Sequence, residues 1–171
     1  VQIENTGQAL SADNILIATG ARERNIPNLP VDHQIVITSR EALELHDVPT
    51  KVVIIGGGAT GVEFAHIYRT YGAEVTIVEL LPHLIPQEDQ EISSHLERAF
   101  RKRNIQSMTN TRVQGISTDG TRARVSVSNG SEESDLECDR VLVAVGVQGN
   151  IDNIGLETLG IETDGGFIVV D

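Results

Sequence analysis

Apolar residues fall along this chain in two kinds of run, and the kind of run predicts the element. Val52 to Ile55 is continuous and β-branched, which predicts a strand covered on both faces, and Arg140 to Val145 reads the same way. Glu74 to Val78 predicts another strand, and Ile35 to Ile37 a short one. Helical spacing appears twice. Phe64, Ile67, Tyr68 and Tyr71 stand at i, i+3, i+4 and i+7, with Gly72 where a left-handed cap would end the helix. Ile92, Leu96, Ala99 and Phe100 form the second stripe, on a helix capped by Asp89 and running through Arg103. Glu88 and Glu91 at its start and Arg101, Lys102 and Arg103 at its end match the helix dipole. Ser39 is placed to cap a short helix from Arg40 to Leu45, which Pro49 prevents from continuing.

From Ile105 the period changes to two, with hairpin signals at Asp119-Gly120 and Asn129-Gly130, and this predicts an antiparallel meander. Val1 to Glu4 and Ala9 to Ala18 read as strands around Asn5-Thr6-Gly7, the second ending in the apolar run Ile15 to Ala18. Ala21 to Asp32, with Pro27 and Pro30, reads as a linker and not as packed structure. Leu80 to Gln87, with Pro82 and Pro86, reads as a connection between elements. Leu156 to Asp171 predicts a turn at Asp164-Gly165-Gly166 and a strand Phe167 to Val170. The expected fold class is α/β: a Rossmann-like parallel sheet with helices on both faces, plus a three-stranded antiparallel β-meander.

Composition narrows this further. Of 171 residues 39% are hydrophobic but only 3% aromatic, with no Trp, so the core must be built mainly from Val, Ile, Leu and Ala. Thirteen bases against 25 acids give a formal charge of −12, which opposes a nucleic-acid partner. No apolar run approaches a membrane span and no signal pattern opens the chain, so the expectation is a cytoplasmic protein with no membrane association. Cys138 is the lone cysteine, set between Glu137 and Asp139, which favours a buried, inert role over a reactive thiol. Arg101 to Arg103 reads as a solvated helix end, with ligand binding as the alternative. The five histidines have no metal-site company, so no metal is expected.

The chemistry is concentrated in Lys51 to Glu79. A buried strand stops at Gly56-Gly57-Gly58, a helix follows, then a second strand, and an acid closes it about 20 residues beyond the glycines. Gly56 suits the tight strand-to-helix turn, Gly58 a close approach of backbone to a pyrophosphate, and Gly61 close packing of helix on sheet. The pyrophosphate would lie against free N–H groups at the helix start. Glu79 can accept from two ribose hydroxyls and would repel a 2′-phosphate, which predicts NAD over NADP.

The segments ADNILIATGARERNIP, TSREALELHDVPTKVVIIGGGATGVEF, GAEVTIVE, LIPQED, VLVAVG and GLETLGIETDGGFIVVD, in this order, resemble the dihydrolipoamide dehydrogenases within the flavoprotein disulfide reductases. The resemblance covers nearly the whole chain. It implies an NAD-binding domain over 39–146, preceded by an FAD-domain piece and linker at 1–38 and followed by the return into the FAD domain at 147–171. The flanking strands would then belong to an incomplete FAD domain. Gly56, Gly57, Gly58, Ala59, Thr60 and Gly61 would hold the NAD pyrophosphate and Glu79 the adenosine ribose. Val113 matches a position touching adenine through its backbone, Gly146 one near the nicotinamide half, and Glu63 a glutamate close to the nicotinamide; a solvated helix acid is the plainer reading of Glu63. Thr19 and Gly20 match a segment near the flavin.

The resemblance also implies FAD in the full-length protein, a homodimer, and lipoyl-bearing components of a 2-oxo acid dehydrogenase complex as partners. The family's FAD glycine loop, redox cysteine pair, flavin-ribityl segment and dimer domain with its His-Glu base are not in this sequence. No residue here matches a catalytic position, and the expectation is an excised piece that binds NAD(H) without catalysing. Thr60 stands where the family usually carries an apolar residue, and Val147 where it commonly has Arg. Two alternatives remain open: a free-standing NAD-sensing or interaction module, and the corresponding domain of another NADH-dependent flavoprotein reductase.

Overall fold

Successive residues of Val52–Ile55 face opposite ways: Val52 and Ile54 sit in one apolar cluster, Val53 and Ile55 in another. A strand buried on both faces is the axis of the architecture. The computed structural model describes residues 1–27 and 29–171. Its strands are β1 (Gln2–Ile3), β2 (Gln8–Ala9), β3 (Ala21–Glu23), β4 (Val36–Ile37), β5 (Lys51–Ile55), β6 (Glu74–Val78) and β7 (Ile105–Met108), then β8 (Arg112–Thr118), β9 (Ala123–Ser128), β10 (Glu133–Cys138), β11 (Arg140–Val143), β12 (Val147–Gly149), β13 (Thr163–Asp164) and β14 (Phe167–Ile168). Its helices are α1 (Ser39–Glu44), α2 (Ala59–Thr70) and α3 (Gln90–Lys102).

Contacts divide the chain into two units, Val1–Arg22 with Gln148–Asp171, and Glu23–Val147. In the first unit β1 pairs antiparallel with β2, and β13 with β14. Arg22 organises part of it, donating to the Gly149 carbonyl and Asn150 Oδ1 at 3.1 Å each and pairing with Asp152 at 2.6 Å. The apolar run Ile15 to Ala18, expected as a strand, is irregular, with Leu16 91% exposed. A strand is a pairing, and this run pairs with no strand among the described residues. Val169 and Val170 likewise lie beyond the end of β14, and exposed.

The second unit is built on a five-stranded parallel sheet in the order β4-β11-β5-β6-β7. The Rossmann-like sheet and the three-stranded meander β8-β9-β10 are both present. The helices differ from expectation: residues of all three pack into the cluster on one face, and the meander covers the other with Ala123, Val125 and Val127. β7, expected to begin the meander, is instead the edge strand of the parallel sheet. β11 ends at Val143, not Val145.

Helix faces are rotated from the apolar stripes. On α2 the buried residues are Gly61, Val62, Phe64, Ala65 and Tyr68, while Ile67 and Tyr71 are exposed. Small residues at 61 and 65 let the helix approach the sheet closely, and their small apolar surface hides that face from a count of large side chains. On α3 Ser93 and Phe100 are buried and Ile92 is exposed for the same reason. Gly72 does end α2 left-handed, at φ +102, with Ala73 N–H bonded to Tyr68 O and Gly72 N–H to Arg69 O. The Ala21–Asp32 segment, expected to be unpacked, buries Leu29.

The cap of α1 is Thr38, not Ser39. Thr38 Oγ1 accepts from Arg40 N–H, while Glu41 Oε2 accepts from the Thr38 amide at 2.8 Å and its hydroxyl at 2.7 Å. Glu41 Oε1 meets His33 Nδ1 at 3.0 Å. Partial burial works to raise the Glu41 pKa, but bonds from the Thr38 hydroxyl and amide, its own N–H and His33 outweigh it and bring it down to about 2.

Two predictions follow from packing and caps. Tyr68 Oη is buried with no partner among the described residues, so Tyr68→Phe should raise unfolding free energy by about 1 kcal/mol in a urea melt. The depressed Glu41 carboxyl contributes stability that is complete above its ordinary pKa and lost as pH falls toward the folded value. Glu41→Gln should therefore cost about 1 kcal/mol at neutral pH and flatten the stability loss between about pH 5 and about pH 2 in thermal melts.

Candidate functional site

Three neighbouring strands end side by side: β11 runs into Ala144, β5 into Gly56 and β6 into Glu79. The bonds continue past the strand ends, with Ala144 N–H to Ile55 O at 2.7 Å, Gly56 N–H to Val78 O at 2.9 Å and Glu79 N–H to Met108 O at 2.9 Å. Open parallel sheets present ligand sites at such carboxyl ends, where chain connections diverge to either side. Here β5 leads through α2 to β6 on one side, while β11 flanks it on the other.

Each glycine of the bend answers to a different neighbour. Gly56 has φ +107, and a Cβ there would enter the Ala144 carbonyl. A Cβ on Gly61 would strike the Gly56 carbonyl, so this glycine sets how closely α2 approaches the bend. A Cβ on Gly57 would meet Leu84 Cδ2 at 2.7 Å. Gly58 differs: nothing lies within 4 Å of its Cβ position. Gly58 is the N-cap of α2 and provides no side-chain cap, leaving first-turn N–H groups for another acceptor.

Glu79 is 8% exposed, and its carboxylate bridges two backbone segments. Oε2 accepts from Gly57 N–H at 2.5 Å and Oε1 from Leu81 N–H at 2.8 Å. No side-chain cation pairs with it among the described residues. Each carboxylate oxygen has two lone pairs, so one remains on each for a further donor.

Around this point lies a groove of about 640 Å³, within the usual range of small-molecule sites. Of the residues named from sequence, Gly56, Gly58, Ala59, Thr60, Glu79, Val113 and Gly146 line it. Gly57 and Gly61 stand behind the lining, supporting it. Glu63 does not line it and is exposed on α2. Thr19 and Gly20 lie in the first unit, where Asn150 bonds both of their carbonyls. Sequence reading missed Arg24, Ile26 and Ile85, which line the groove from segments read as linker or connection, and Arg112, which lines it from the meander. The available signal was apolar residues set beside prolines, Ile26-Pro27 and Ile85-Pro86.

Other candidates fall to structural roles. Cys138 ends β10 on the buried face of the meander, and that burial, with Asp139 adding to it, pushes its thiol up to about 11. Arg103 caps α3, receives Arg69 Nε at its carbonyl and meets His66. No cluster of metal-ligating side chains occurs among the described residues, nor any helix long and apolar enough to cross a membrane.

The family described as Pyridine nucleotide-disulphide oxidoreductase matches residues 1–171, and the chain belongs to it. A dihydrolipoyl dehydrogenase of Chlorobaculum parvum is 46% identical over 98% of this chain, and one of Zymomonas mobilis is 41% identical over 98%. In both cases the chain spans 36% of the relative's length. The crystal structure of LpdA from Mycobacterium tuberculosis superposes with a TM-score of 0.81 at 31% identity, covering 94% of this chain and 34% of that one.

The bend itself makes a prediction that needs no ligand. Gly61→Ala should destabilise the fold by about 2 kcal/mol or more through overpacking, whereas Gly58→Ala, facing open space, should cost less than about 1 kcal/mol. Chemical denaturation of the two variants reads the difference.

Proposed function

We propose, from membership of this oxidoreductase family and the geometry of the groove, that residues 39–146 are the NAD-binding domain of a dihydrolipoyl dehydrogenase-like flavoenzyme. Residues 1–38 and 147–171 are, in this reading, pieces of its FAD domain. The observation that carries it is the pairing of an open Gly58 with a buried, backbone-held Glu79 in one groove.

The fit follows from the donors and acceptors present. A pyrophosphate needs backbone N–H groups and room, and the start of α2 supplies both at Gly58, Ala59 and Thr60. Ribose hydroxyls need acceptors, and the free lone pairs of Glu79 meet that need. A 2′-phosphate would press two negative charges against a buried carboxylate with no paired cation, which selects NAD(H) over NADP(H). Val113 would lie beside the adenine, Gly146 toward the nicotinamide half, Glu63 near that half, and Thr19 and Gly20 near the flavin.

When bound, NAD serves as acceptor for electrons that reach it from dihydrolipoamide through a disulfide and FAD in the whole protein. This chain's residues bind and orient the dinucleotide, and none of them is assigned a catalytic step. The dihydrolipoyl dehydrogenase relatives support lipoyl-bearing components of a 2-oxo acid dehydrogenase complex as partners of the whole protein, and the wider reading makes that protein a cytoplasmic homodimer.

Calorimetric titration should show NADH binding at least about tenfold tighter than NADPH, a difference of about 1.4 kcal/mol. Glu79→Arg should abolish or reverse that preference. Equal affinities of the wild-type protein for the two would overturn the reading.

A further inference from the structure

Ile85 has φ +44, a left-handed conformation. The other non-glycine residues at positive φ among the described ones are three asparagines and a histidine, types that tolerate it. A β-branched residue does not, and Pro86 directly after it disfavours the helical regions further. A conformation opposed twice persists only where its surroundings hold it, and here they do. Ile85 N–H donates to the Gly57 carbonyl at 2.7 Å, Glu88 N–H donates to the Ile85 carbonyl at 3.0 Å, and Leu84 is fully buried against Gly57 with its own N–H on Glu97 Oε1.

This bond has a directional consequence. In a trans peptide the carbonyl of one residue and the N–H of the next point opposite ways. The Gly56–Gly57 peptide is fixed by Glu79, which takes the Gly57 N–H. The Gly57–Gly58 peptide is fixed by Ile85, which takes the Gly57 carbonyl and so turns the Gly58 N–H the other way. That N–H has no acceptor among the described residues, and Gly58 lines the groove while Gly57 does not.

We infer that Ile85 is a positioning residue of the cofactor site: its strained backbone N–H, anchored on the Gly57 carbonyl, aims the Gly58 N–H at the phosphates of the bound dinucleotide. This rests on the dinucleotide reading above. The anchor is the backbone and not the side chain, so the two are separable by substitution.

Ile85→Gly keeps the N–H and favours positive φ but removes a side chain from the groove wall, so NADH affinity in calorimetry should fall by a clearly smaller factor than in the proline variant. Ile85→Pro removes the N–H and forbids positive φ, and affinity should fall at least about tenfold. If glycine weakens binding as much as proline, the side chain is what matters and the inference is overturned; wild-type affinity in the proline variant overturns it too. Amide hydrogen exchange of the ligand-free wild-type protein provides a reading independent of binding. Ile85 and Gly57 amides should exchange slowly and Gly58 at the rate of an open amide, and a fast Ile85 amide would overturn the anchor whatever the titrations give. A wild-type protein with this exchange pattern but no NADH binding would sink the dinucleotide reading while leaving the anchor in place.

Discussion

The groove depends on one buried carboxylate. Glu79 lies at the end of β6, 8% exposed, and a charged group so withdrawn from water is costly unless hydrogen bonds replace its hydration. Gly57 and Leu81 donate those bonds from the backbone. The need is mutual, since the two N–H groups lie at a chain reversal where no ladder partner reaches them. One side chain thus joins the end of β5, the end of β6 and the start of the following connection, and it does so with acceptor capacity to spare. A structural bond and a recognition surface are made by the same two oxygens.

The rest of the second unit holds that junction still. Parallel pairing of β11, β5 and β6 brings Ala144, Gly56 and Glu79 into line, and the helices and the meander cover opposite faces of the sheet. One edge strand of the meander, β10, carries Glu133, Asp135 and Glu137, charges that discourage pairing with a further strand. An anionic ligand would meet the local dipoles of the α2 start, with Arg24 and Arg112 on the groove wall, before it felt the average charge of the chain.

What was legible in the sequence was whatever is local. The run Val52–Ile55, the glycine bend, Gly72 as cap, Asp89 as cap and the two hairpin turns each depend on a few adjacent residues, and each is found where those residues predict it. Boundaries slipped where two neighbours compete for one role, as Thr38 and Ser39 do at α1. Helix faces slipped where small residues, Gly61, Ala65 and Ser93, took the buried side. Apolarity without a partner misled, since Ile15 to Ala18 has the composition of a strand and pairs with no strand among the described residues.

By itself the sequence determined the strand-bend-helix-strand unit and the identity of its acid, because backbone conformation and side-chain charge are properties of single residues and close neighbours. Only the tertiary structure decided that the acid would be spent partly on the bend, that the meander and not a helix would cover the second face, and that Ile85 would sit strained against Gly57. The first and last of these depend on groups 22 and 28 residues apart arriving at hydrogen-bond distance, and the second on apolar side chains about 70 residues apart packing together. Such distances are set by the packing of whole elements, which no local pattern of residues encodes.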